Sequence, residues 1–363
     1  MRVAYYSPMA EPDAQAASGT ERMSALLQQA LREAGCEIVR PLLPRTYEGR
    51  GDADAQARIK RASEEAARQL LDVYRAGALP SPELWFSYHV YYKSPDWIGP
   101  AVAHALGIPY VVAEGSQANK RAGGPWALGH EGATKALCSA ARLFAMTAFD
   151  RYSLDQLAPG RVRDLKPFID VTPFSGSARV NDPVEIVTVG MMRNERKRAS
   201  YTMLAAAMRL LADVPLRLTI AGDGSYRGEI EAMFQPPAPG HEIRFLGAVG
   251  GTGVVALLAR SDIFAWPGLG EAYGLVFLEA QAAGLPVLAC RDRGVPDAVL
   301  DGETAFLSAP NDAAAYAANL RRLVDQRRLR ADMGARARRF VREERSVAAA
   351  ATILRKVVAE LPV

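Results

Sequence analysis

Two glutamates near the start of an apolar helix are the residues of this chain whose type and spacing best suit chemistry. Glu271 follows a strand-like run at 262–267 and a glycine-rich loop, and Glu279 lies in the apolar segment that ends at Gly284. The start of a helix directs unpaired backbone N–H groups and the positive end of the helix dipole to one place, which suits a phosphate. Carboxylates on either side can accept hydrogen bonds from hydroxyl groups that flank a diphosphate. The stretch therefore predicts a nucleotide-sugar site, with a helix carrying one capping and one solvated glutamate as the alternative.

The residues around these glutamates resemble the donor-site signature of family 4 glycosyltransferases. The similarity covers Glu271, Glu279 and the turn 273–276 between them, and it continues downstream as far as Gly302. It implies that Glu271 faces the donor sugar and that Glu279 binds the ribose. It also implies that backbone amides of the turn hold the diphosphate, namely those of Tyr273, Gly274 and Leu275.

A second predicted strand, at 185–190, leads through a basic loop into a helix and resembles the corresponding segment of the same family. The family often has an arginine where Met191 stands; here Arg193 lies two residues further on, and Lys197 matches the family's later lysine if one residue is inserted. The resemblance implies that Arg193 binds the donor diphosphate as a bidentate fork and that Lys197 binds it as a point charge. Such cations can take the place of a metal ion in neutralising a departing diphosphate. A solvated basic helix start is the alternative.

Glycines at the ends of predicted strands and at one helix start complete the expected donor site. Glycine lets a ligand approach the backbone closely, and the set comprises Gly19, Gly190, Gly222 and Gly224. The pair Ser18–Gly19 resembles the glycine-rich first loop of family 4 enzymes, with an ordinary turn glycine as the alternative. No G-x-G-x-x-G follows the first strand or the strand before Gly222, which argues against a dehydrogenase. The chain also lacks G-x-x-x-x-G-K-[ST], which argues against a P-loop NTPase.

Polar and aromatic residues follow two predicted strands of the first half and indicate where an acceptor would bind. His89 follows the strand 84–88, and Glu114 follows the strand 108–113. Ligands of open α/β sheets bind beyond the carboxyl ends of the strands. Many family 4 enzymes have a histidine where Glu114 stands, so Glu114 is expected to act as a base or to accept a hydrogen bond from the acceptor. Core packing and a surface loop are the alternatives for the remaining pocket candidates, which are Tyr91, Tyr92, Trp97, Lys120, Arg121, Trp126 and His130.

Composition excludes several other classes of protein. The chain has 363 residues, 49% hydrophobic and 23% charged, which is an ordinary globular composition with length for two domains. Its 44 basic and 40 acidic residues give a net charge of +4, and no nucleic-acid partner is expected from so weak a field. Three separated cysteines and four scattered histidines indicate reduced thiols and no metal site. The N-terminus shows no signal segment and no stretch is apolar enough to span a membrane, so a cytoplasmic location is expected, with the inner face of the membrane left open.

Repeated strand–loop–helix units predict an α/β protein, and the resemblance implies the GT-B fold, in which two Rossmann-like domains with parallel sheets face a central cleft. Residues 1–172 are predicted to form the acceptor-binding domain and residues 173–345 the nucleotide-sugar-binding domain, with a linker at 175–183. Residues 346–363 are expected to form a helix that packs back towards the N-terminal domain.

The resulting prediction is a glycosyltransferase that moves a hexose from a nucleoside-diphosphate sugar to an acceptor hydroxyl. The resemblance implies retention of the anomeric configuration and a carbohydrate or lipid-linked acceptor, as in the synthesis of cell-envelope polysaccharide. No cofactor or metal is expected, and peripheral contact of the arginine-rich tail with a membrane is left open. The alternatives are a nucleotide-sugar epimerase of the same fold and a catalytically inactive sugar-nucleotide-binding protein. Residue types do not specify the donor base, the sugar or the linkage.

Overall fold

The computed structural model describes residues 1–9, 19–174, 181–193 and 195–361. These residues group into two units, of which unit 1 comprises Met1–Lys166 with Val347–Val363 and unit 2 comprises Pro167–Ser346. The sequence-based boundaries fall at 172/173 and 345/346. Most of the predicted linker, residues 175–180, and the loop before Gly19 lie outside the described residues.

Unit 1 contains a parallel six-stranded sheet in the order β2-β1-β3-β4-β5-β6. Its strands are β1 (Arg2–Tyr6), β2 (Glu37–Val39), β3 (Leu84–Tyr88), β4 (Tyr110–Ala113), β5 (Arg142–Ala145) and β6 (Val162–Asp164). The helices between them are α1 (Gly19–Glu33), α2 (Ala53–Arg75), α3 (Gly99–Leu106), α4 (Ala127–Ser139) and α5 (Ala148–Leu157). The central strand β3 is buried along its whole length, as expected for a parallel strand that helices cover on both faces.

Unit 2 repeats this architecture with a second parallel sheet in the order β12-β11-β10-β7-β8-β9. Its strands are β7 (Val184–Val189), β8 (Leu216–Ala221), β9 (His241–Gly247), β10 (Ile263–Ala265), β11 (Val287–Cys290) and β12 (Ala305–Ser308). Its helices are α6 (Glu195–Arg209), α7 (Arg227–Met233), α8 (Gly251–Ala259), α9 (Leu275–Ala282), α10 (Val295–Ala298), α11 (Ala313–Asp325) and α12 (Arg327–Glu344). The predicted α/β class with parallel sheets is confirmed.

The C-terminal tail forms two helices, and the second lies within the segment 346–363 that was expected to be helical. The first helix, α12, ends at Glu344, and the carbonyl of the next residue, Arg345, accepts a hydrogen bond from the Ile169 amide at 2.9 Å. The second, α13 (Val347–Ala359), packs against α1 within unit 1. None of the helices that the structure describes is long and apolar enough to cross a membrane.

Strand β2 contains only three residues, although the apolar residues Leu42 and Leu43 follow it closely. It ends at Val39 because Pro41 and Pro44 have no N–H to donate to a neighbouring strand. The chain continues as a segment held by other bonds. The hydroxyl of Tyr6 donates to the carbonyl of Pro44 at 2.7 Å, and the amide of Thr46 donates to the carbonyl of Pro8 at 2.9 Å.

Asp96, which is buried within unit 1, fixes the start of α3. Its carboxylate accepts hydrogen bonds from the amides of Ile98 and Gly99 at 3.0 and 2.7 Å, and from the hydroxyls of Ser87 and Tyr110 at 2.5 and 2.9 Å. Burial raises the pKa of this carboxyl, although the four hydrogen bonds oppose the shift. Asp96 therefore has a structural role.

Each sheet changes direction at its first strand. In unit 1, β2 lies on one side of β1 and β3 on the other. In unit 2, the chain runs outward from β7 through β8 and β9, then returns to the opposite side of β7 with β10. Ligands of open α/β sheets bind at the carboxyl ends of the strands at such a switch point. We therefore expect ligand-binding residues in the loops after β1, β3, β7 and β10.

Candidate active site

The switch point of unit 2 lies between β7 and β10, which are paired through Ile263 with Ile186 and Phe264 with Val187. Gly190 follows β7 directly, and Trp266 follows β10 directly. Both residues thus stand at the carboxyl edge of the sheet. The structure brings together here the two segments that resemble the family 4 donor site.

The glycines at this edge allow the strand ends to pack closely. A Cβ atom on Gly222 would lie 1.9 Å from the carbonyl oxygen of Gly190, and one on Gly224 would lie 2.4 Å from that of Met192. A Cβ on Gly190 would lie 3.0 Å from the Trp266 ring. Packing of the strand ends is therefore sufficient to require glycine at Gly222 and Gly224. The sequence had suggested a different reason, namely close approach of a ligand to the backbone.

Glu271 is held by two groups that the sequence did not connect with each other. The Lys197 ammonium forms an ion pair with Glu271 Oε1, and the indole N–H of Trp266 donates to the same oxygen at 3.1 Å. The Lys197 and Glu271 side chains are 18% and 16% exposed. Lys197 Nζ also lies 5.4 Å from the centre of the Trp266 ring, within the range of a cation–π contact. The carboxylate and the ammonium are thus fixed as a pair with little freedom to rotate.

The loop before Glu271 is shaped by glycine and by two side-chain acceptors. Gly268 and Gly270 have φ of +70° and +74°, which other residues rarely adopt. The amide of Leu269 donates to Ser200 Oγ at 2.9 Å, and the amide of Gly270 donates to Asp292 Oδ2 at 2.6 Å. These bonds hold the loop against α6 and the segment after β11.

Helix α9 begins directly after Gly274, which has φ +67° and ψ +86°. Among the described residues, no side chain caps this helix start. Tyr273 and Leu275 on either side are buried, and Glu279, inside the helix, is only 5% exposed. The burial of Glu279 excludes the solvated-helix alternative for this residue.

The basic residues before and inside α6 have different surroundings. Arg193 is exposed, and its guanidinium contacts the sulfur of Met191. The aliphatic part of Arg196 lies over Gly270, where a Cβ atom would be 2.3 Å from Arg196 Cδ. Arg198 pairs with Glu229 at 2.8 Å on the surface. Arg193 is thus the exposed cation of this loop, whereas Lys197 is already paired with a carboxylate.

In unit 1, the structure brings His89 and Glu114 together at the carboxyl ends of β3 and β4. His89 Nδ1 lies 3.7 Å from Glu114 Oε1, and the side chains are 20% and 13% exposed. Both residues have positive φ, 64° and 56°, although neither is glycine. Such backbone strain costs about 1–3 kcal/mol and persists where the surroundings impose it, often at functional sites.

A third titratable group, Asp150, faces this pair from the start of α5. Thr147 Oγ1 donates to Asp150 Oδ2 at 2.7 Å. Burial raises the pKa of the Asp150 carboxyl, the Thr147 hydroxyl opposes the shift, and the nearby Glu114 adds to it. Sequence analysis missed Asp150 because it lies beyond a third strand, and only the parallel pairing of β4 with β5 brings that strand end to the same edge.

The remaining candidates of unit 1 are placed as follows. Trp97 packs against α4, where a Cβ atom on Gly132 would lie 2.2 Å from its indole nitrogen. His130 lines an open cavity of about 620 Å³ along α4, together with Glu131 and Lys135. Gly19 is the first residue of α1, and no described atom lies within 4 Å of the position its Cβ would take. Packing thus explains Trp97 but gives no reason for glycine at Gly19.

In the described ranges, histidine, cysteine, aspartate and glutamate side chains nowhere form a group of three that is suited to a metal ion. The residues of unit 2 that sequence analysis missed are Trp266 as a donor to Glu271, Ser200 and Asp292 as acceptors from the loop, and Tyr201, whose hydroxyl donates to the Gly190 carbonyl at 2.6 Å. The only available sequence signal was their position after strands or in the first turns of a helix at the switch point.

Residues 174–340 match the sequence profile of the family described as glycosyl transferases group 1. A glycogen synthase of Mycobacterium tuberculosis is 35% identical over 165 residues, which covers 44% of this chain and only 39% of that relative. A D-inositol 3-phosphate glycosyltransferase of Frankia alni is 31% identical over 307 residues, which covers 73% of this chain and 72% of the relative. HepE of Anabaena, solved in complex with UDP and glucose, has a TM-score of 0.70 at 13% identity and covers 99% of this chain and 100% of HepE. That similarity confirms the predicted GT-B fold.

Proposed function

The chain belongs to the group 1 glycosyl transferases, and on that premise we propose that it transfers a hexose from a nucleoside-diphosphate sugar to an acceptor hydroxyl with retention of the anomeric configuration. The observation that carries this proposal is the placement of Glu271. Lys197 and Trp266 hold its carboxylate at the switch point of unit 2, next to the uncapped start of α9. Retention is supported by the resemblance to family 4.

In the proposed donor site, the diphosphate binds at the start of α9. The amides of Tyr273, Gly274 and Leu275 and the positive end of the helix dipole stabilise its charge. The exposed Arg193 adds a guanidinium, and Lys197 adds an ammonium that Glu271 already holds in place. These groups act where charge develops on the departing diphosphate, and such preorganised groups are effective because they need no rearrangement during the reaction.

The two glutamates have separate roles in this proposal. Glu271 orients the donor sugar by accepting hydrogen bonds from the hydroxyl groups of the sugar. Two donors fix one oxygen of the Glu271 carboxylate, and the other oxygen binds the ligand. Glu279, which is nearly buried inside α9, accepts hydrogen bonds from the ribose. Gly190, Gly222 and Gly224 form the floor of the site by allowing the strand ends to approach each other.

The proposed reaction breaks the bond between the anomeric carbon and the diphosphate oxygen and forms a bond from that carbon to the acceptor oxygen. The acceptor hydroxyl loses its proton, and unit 1 offers His89 and Glu114 as the acceptor-side groups. No metal or cofactor enters the proposal, because the cations and the helix start supply the charge stabilisation. The resemblance to family 4 supports a carbohydrate or lipid-linked acceptor and a cytoplasmic reaction in cell-envelope polysaccharide synthesis, with peripheral membrane contact.

The donor site is tested by thermal unfolding of the wild type and of Glu279→Ala with UDP, GDP, ADP, their sugars and NAD. UDP-glucose comes first, because HepE was solved with UDP and glucose. A ligand at about 100 times its Kd adds about 2.7 kcal/mol, which raises the midpoint of a unit of this size by roughly 5–10 °C. We expect one nucleoside-diphosphate series to stabilise the wild type and Glu279→Ala to lose most of that shift.

Glu343→Ala is the matched control, because Glu343 is an exposed glutamate on α12 of the same unit. It should keep the full ligand-induced shift. Turnover is then measured as acceptor-dependent release of nucleoside diphosphate, and retention is read from the anomeric proton of the product by NMR. Stabilisation by NAD alone, or by none of these ligands at millimolar concentration, would contradict the proposal, and donor consumption without an acceptor would favour an epimerase.

A further inference from the structure

Five side chains of unit 1 form a continuous set of aromatic rings and cations beside His89. We refer to this set as the Tyr92 cluster, and it consists of Tyr91, Tyr92, Lys93, Arg121 and Trp126. The rings of Tyr91 and Trp126 meet the Tyr92 ring edge to face, with centroids 5.4 and 5.2 Å from that of Tyr92. The Tyr91 ring also lies 4.9 Å from the imidazole of His89. The cluster therefore adjoins the acceptor-side groups His89 and Glu114.

Two cations of the Tyr92 cluster lie over its rings. Lys93 Nζ is 5.0 Å from the centre of the Trp126 ring and 6.0 Å from that of Tyr92, and the guanidinium carbon of Arg121 is 5.6 Å from the centre of the Tyr92 ring. Lys93 follows β3 and Arg121 follows β4. Because these strands are parallel neighbours, their loops bring both cations to the same edge of the sheet.

Neither cation has a carboxylate partner within the part of the chain that the structure describes. Lys93 and Arg121 form no ion pair with any residue that the structure describes; Lys93 Nζ reaches only the Gly49 carbonyl, at 3.4 Å, and Arg121 Nε is buried without a hydrogen bond. Arg151 in the same unit, which is also half-buried, pairs with both Asp155 and Asp164. An anion beside the rings would neutralise the charges of Lys93 and Arg121 and would give the Arg121 guanidinium a hydrogen-bond partner.

The backbone that carries the Tyr92 cluster is firmly packed. A Cβ atom on Gly129 of α4 would lie 2.1 Å from the carbonyl oxygen of Tyr92. The Lys93 carbonyl accepts from the Glu48 amide at 2.8 Å, and Gln56 bonds both the Gly129 amide, at 3.0 Å, and the Pro125 carbonyl, at 2.7 Å. The backbone at Tyr92 and Lys93, and that around Trp126, is therefore held in place by surrounding structure.

We propose that the Tyr92 cluster binds a phosphate or diphosphate ester on the acceptor and so selects an anionic acceptor. Arg121 supplies a planar donor set that matches phosphate oxygens, and Lys93 supplies a point charge. The aromatic rings exclude water around the anion and strengthen the attraction. The inference rests on the proposed function, since it assigns the substrate class of the acceptor side. The phosphate belongs either to a soluble sugar phosphate or to a lipid-linked diphosphate.

The test compares Lys93→Gln/Arg121→Gln with the wild type by calorimetric titration. The soluble probes are inorganic pyrophosphate, glucose 1-phosphate and neutral glucose, each added after saturation with the nucleoside diphosphate that stabilises the protein best. Saturation blocks the helix start of unit 2, which also suits phosphate. Arg61→Gln is the matched control, because Arg61 is an exposed cation on α2 of the same unit and belongs neither to the Tyr92 cluster nor to the predicted acceptor pocket.

We expect the wild type and Arg61→Gln to bind the phosphate probes and not neutral glucose, and the double variant to bind about 10- to 100-fold more weakly. Co-sedimentation with phosphatidylglycerol and phosphatidylcholine vesicles distinguishes the sources. If the wild type binds vesicles but none of the soluble phosphate probes, and the double variant loses vesicle binding, the phosphate that the Tyr92 cluster binds belongs to a lipid. Equal binding by the double variant and the wild type, equal losses in the double variant and Arg61→Gln, or no binding of either kind overturns the inference.

The single variant Lys93→Gln carries the same comparison if the double variant is unfolded by circular dichroism. The nucleoside-diphosphate titration is recorded on every variant and reads the donor site of unit 2 alone. Its failure would refute the proposed function, whereas unchanged phosphate binding with normal nucleotide binding would refute only the role of the Tyr92 cluster.

Discussion

Replacing Trp266 with phenylalanine removes one N–H group from the candidate active site and keeps an aromatic ring in the same place. The indole nitrogen of Trp266 donates to Glu271 Oε1 at 3.1 Å, while the ion pair with Lys197 remains in the variant. A hydrogen bond to a charged group contributes about 1.5–3 kcal/mol. Because 3.1 Å is long for an N–H···O bond, we expect about 1.5 kcal/mol, which corresponds to roughly a tenfold loss of kcat/KM for the donor.

Trp85→Phe is the matched control for this substitution. Trp85 is also fully buried, and its indole nitrogen donates at the same 3.1 Å, but the acceptor is Ser87 Oγ in unit 1. Both substitutions leave a void in a packed core and should lower the free energy of unfolding by about 1–3 kcal/mol. Only Trp266→Phe should change the handling of the donor, because only Trp266 touches Glu271.

The assay follows nucleoside-diphosphate release over a range of donor concentrations, with thermal unfolding recorded on the same samples. If Glu271 orients the donor mainly in the transition state, kcat and kcat/KM fall together. If Trp266 contributes to packing alone, the two variants lose stability to a similar extent and keep the wild-type kcat/KM. Wild-type kcat/KM in a folded Trp266→Phe protein would refute the argument that this N–H positions the carboxylate.

Three further predictions concern stability and reactivity. Gly334→Ala should destabilise unit 2 by about 1–3 kcal/mol in denaturant unfolding. The Cβ atom of the new alanine would lie 2.2 Å from the Gly284 carbonyl oxygen, between α12 and the end of α9. An unchanged midpoint would show that the two helices can move apart at no cost. Of the three cysteines, exposed Cys138 should react with a thiol reagent in the folded protein, whereas Cys290, whose pKa burial raises to about 12, should react only after unfolding. Burial also raises the pKa of the Asp96 carboxyl above its ordinary value of 3.8. The stability that this shift contributes is therefore complete below the pKa of Asp96 in the unfolded chain, and it is lost as pH rises through the pKa in the folded protein. The slope of unfolding free energy against pH should be flatter in Asp96→Asn, and an unchanged slope would show that other groups cause it.

Local patterns in the sequence were sufficient for the class of fold and for the main segments of the candidate site. Buried apolar runs predicted β3 with its observed bounds and β4 and β7 to within about two residues at each end. Such runs are informative because parallel strands covered on both faces must be apolar throughout. The segment around Glu271 and Glu279 was also recognisable, since a loop, a helix start and a terminating glycine lie close together in the chain.

The ends of the elements were less well predicted. Strand β2 stops at Val39 although apolar residues continue to Leu43, and the tail breaks at Arg345 although its periodicity is helical. Strand β2 ends just before Pro41, whereas the hydrogen bond at the break of the tail joins residues far apart in the chain, Ile169 and Arg345. Periodicity within a short window carries no information about such partners.

By itself, the sequence determined which residues are chemically competent and which strands carry them to an edge of a sheet. Only the tertiary structure decided which of these residues meet. Lys197 and Glu271 are 74 positions apart, yet they form one ion pair because β7 and β10 are neighbours at the switch point. His89 and Glu114 meet because β3 and β4 are parallel, and the same pairing brings Lys93 to Arg121. Strand order is fixed by long-range packing of whole helices and strands, so these contacts are not encoded in any local pattern of residues.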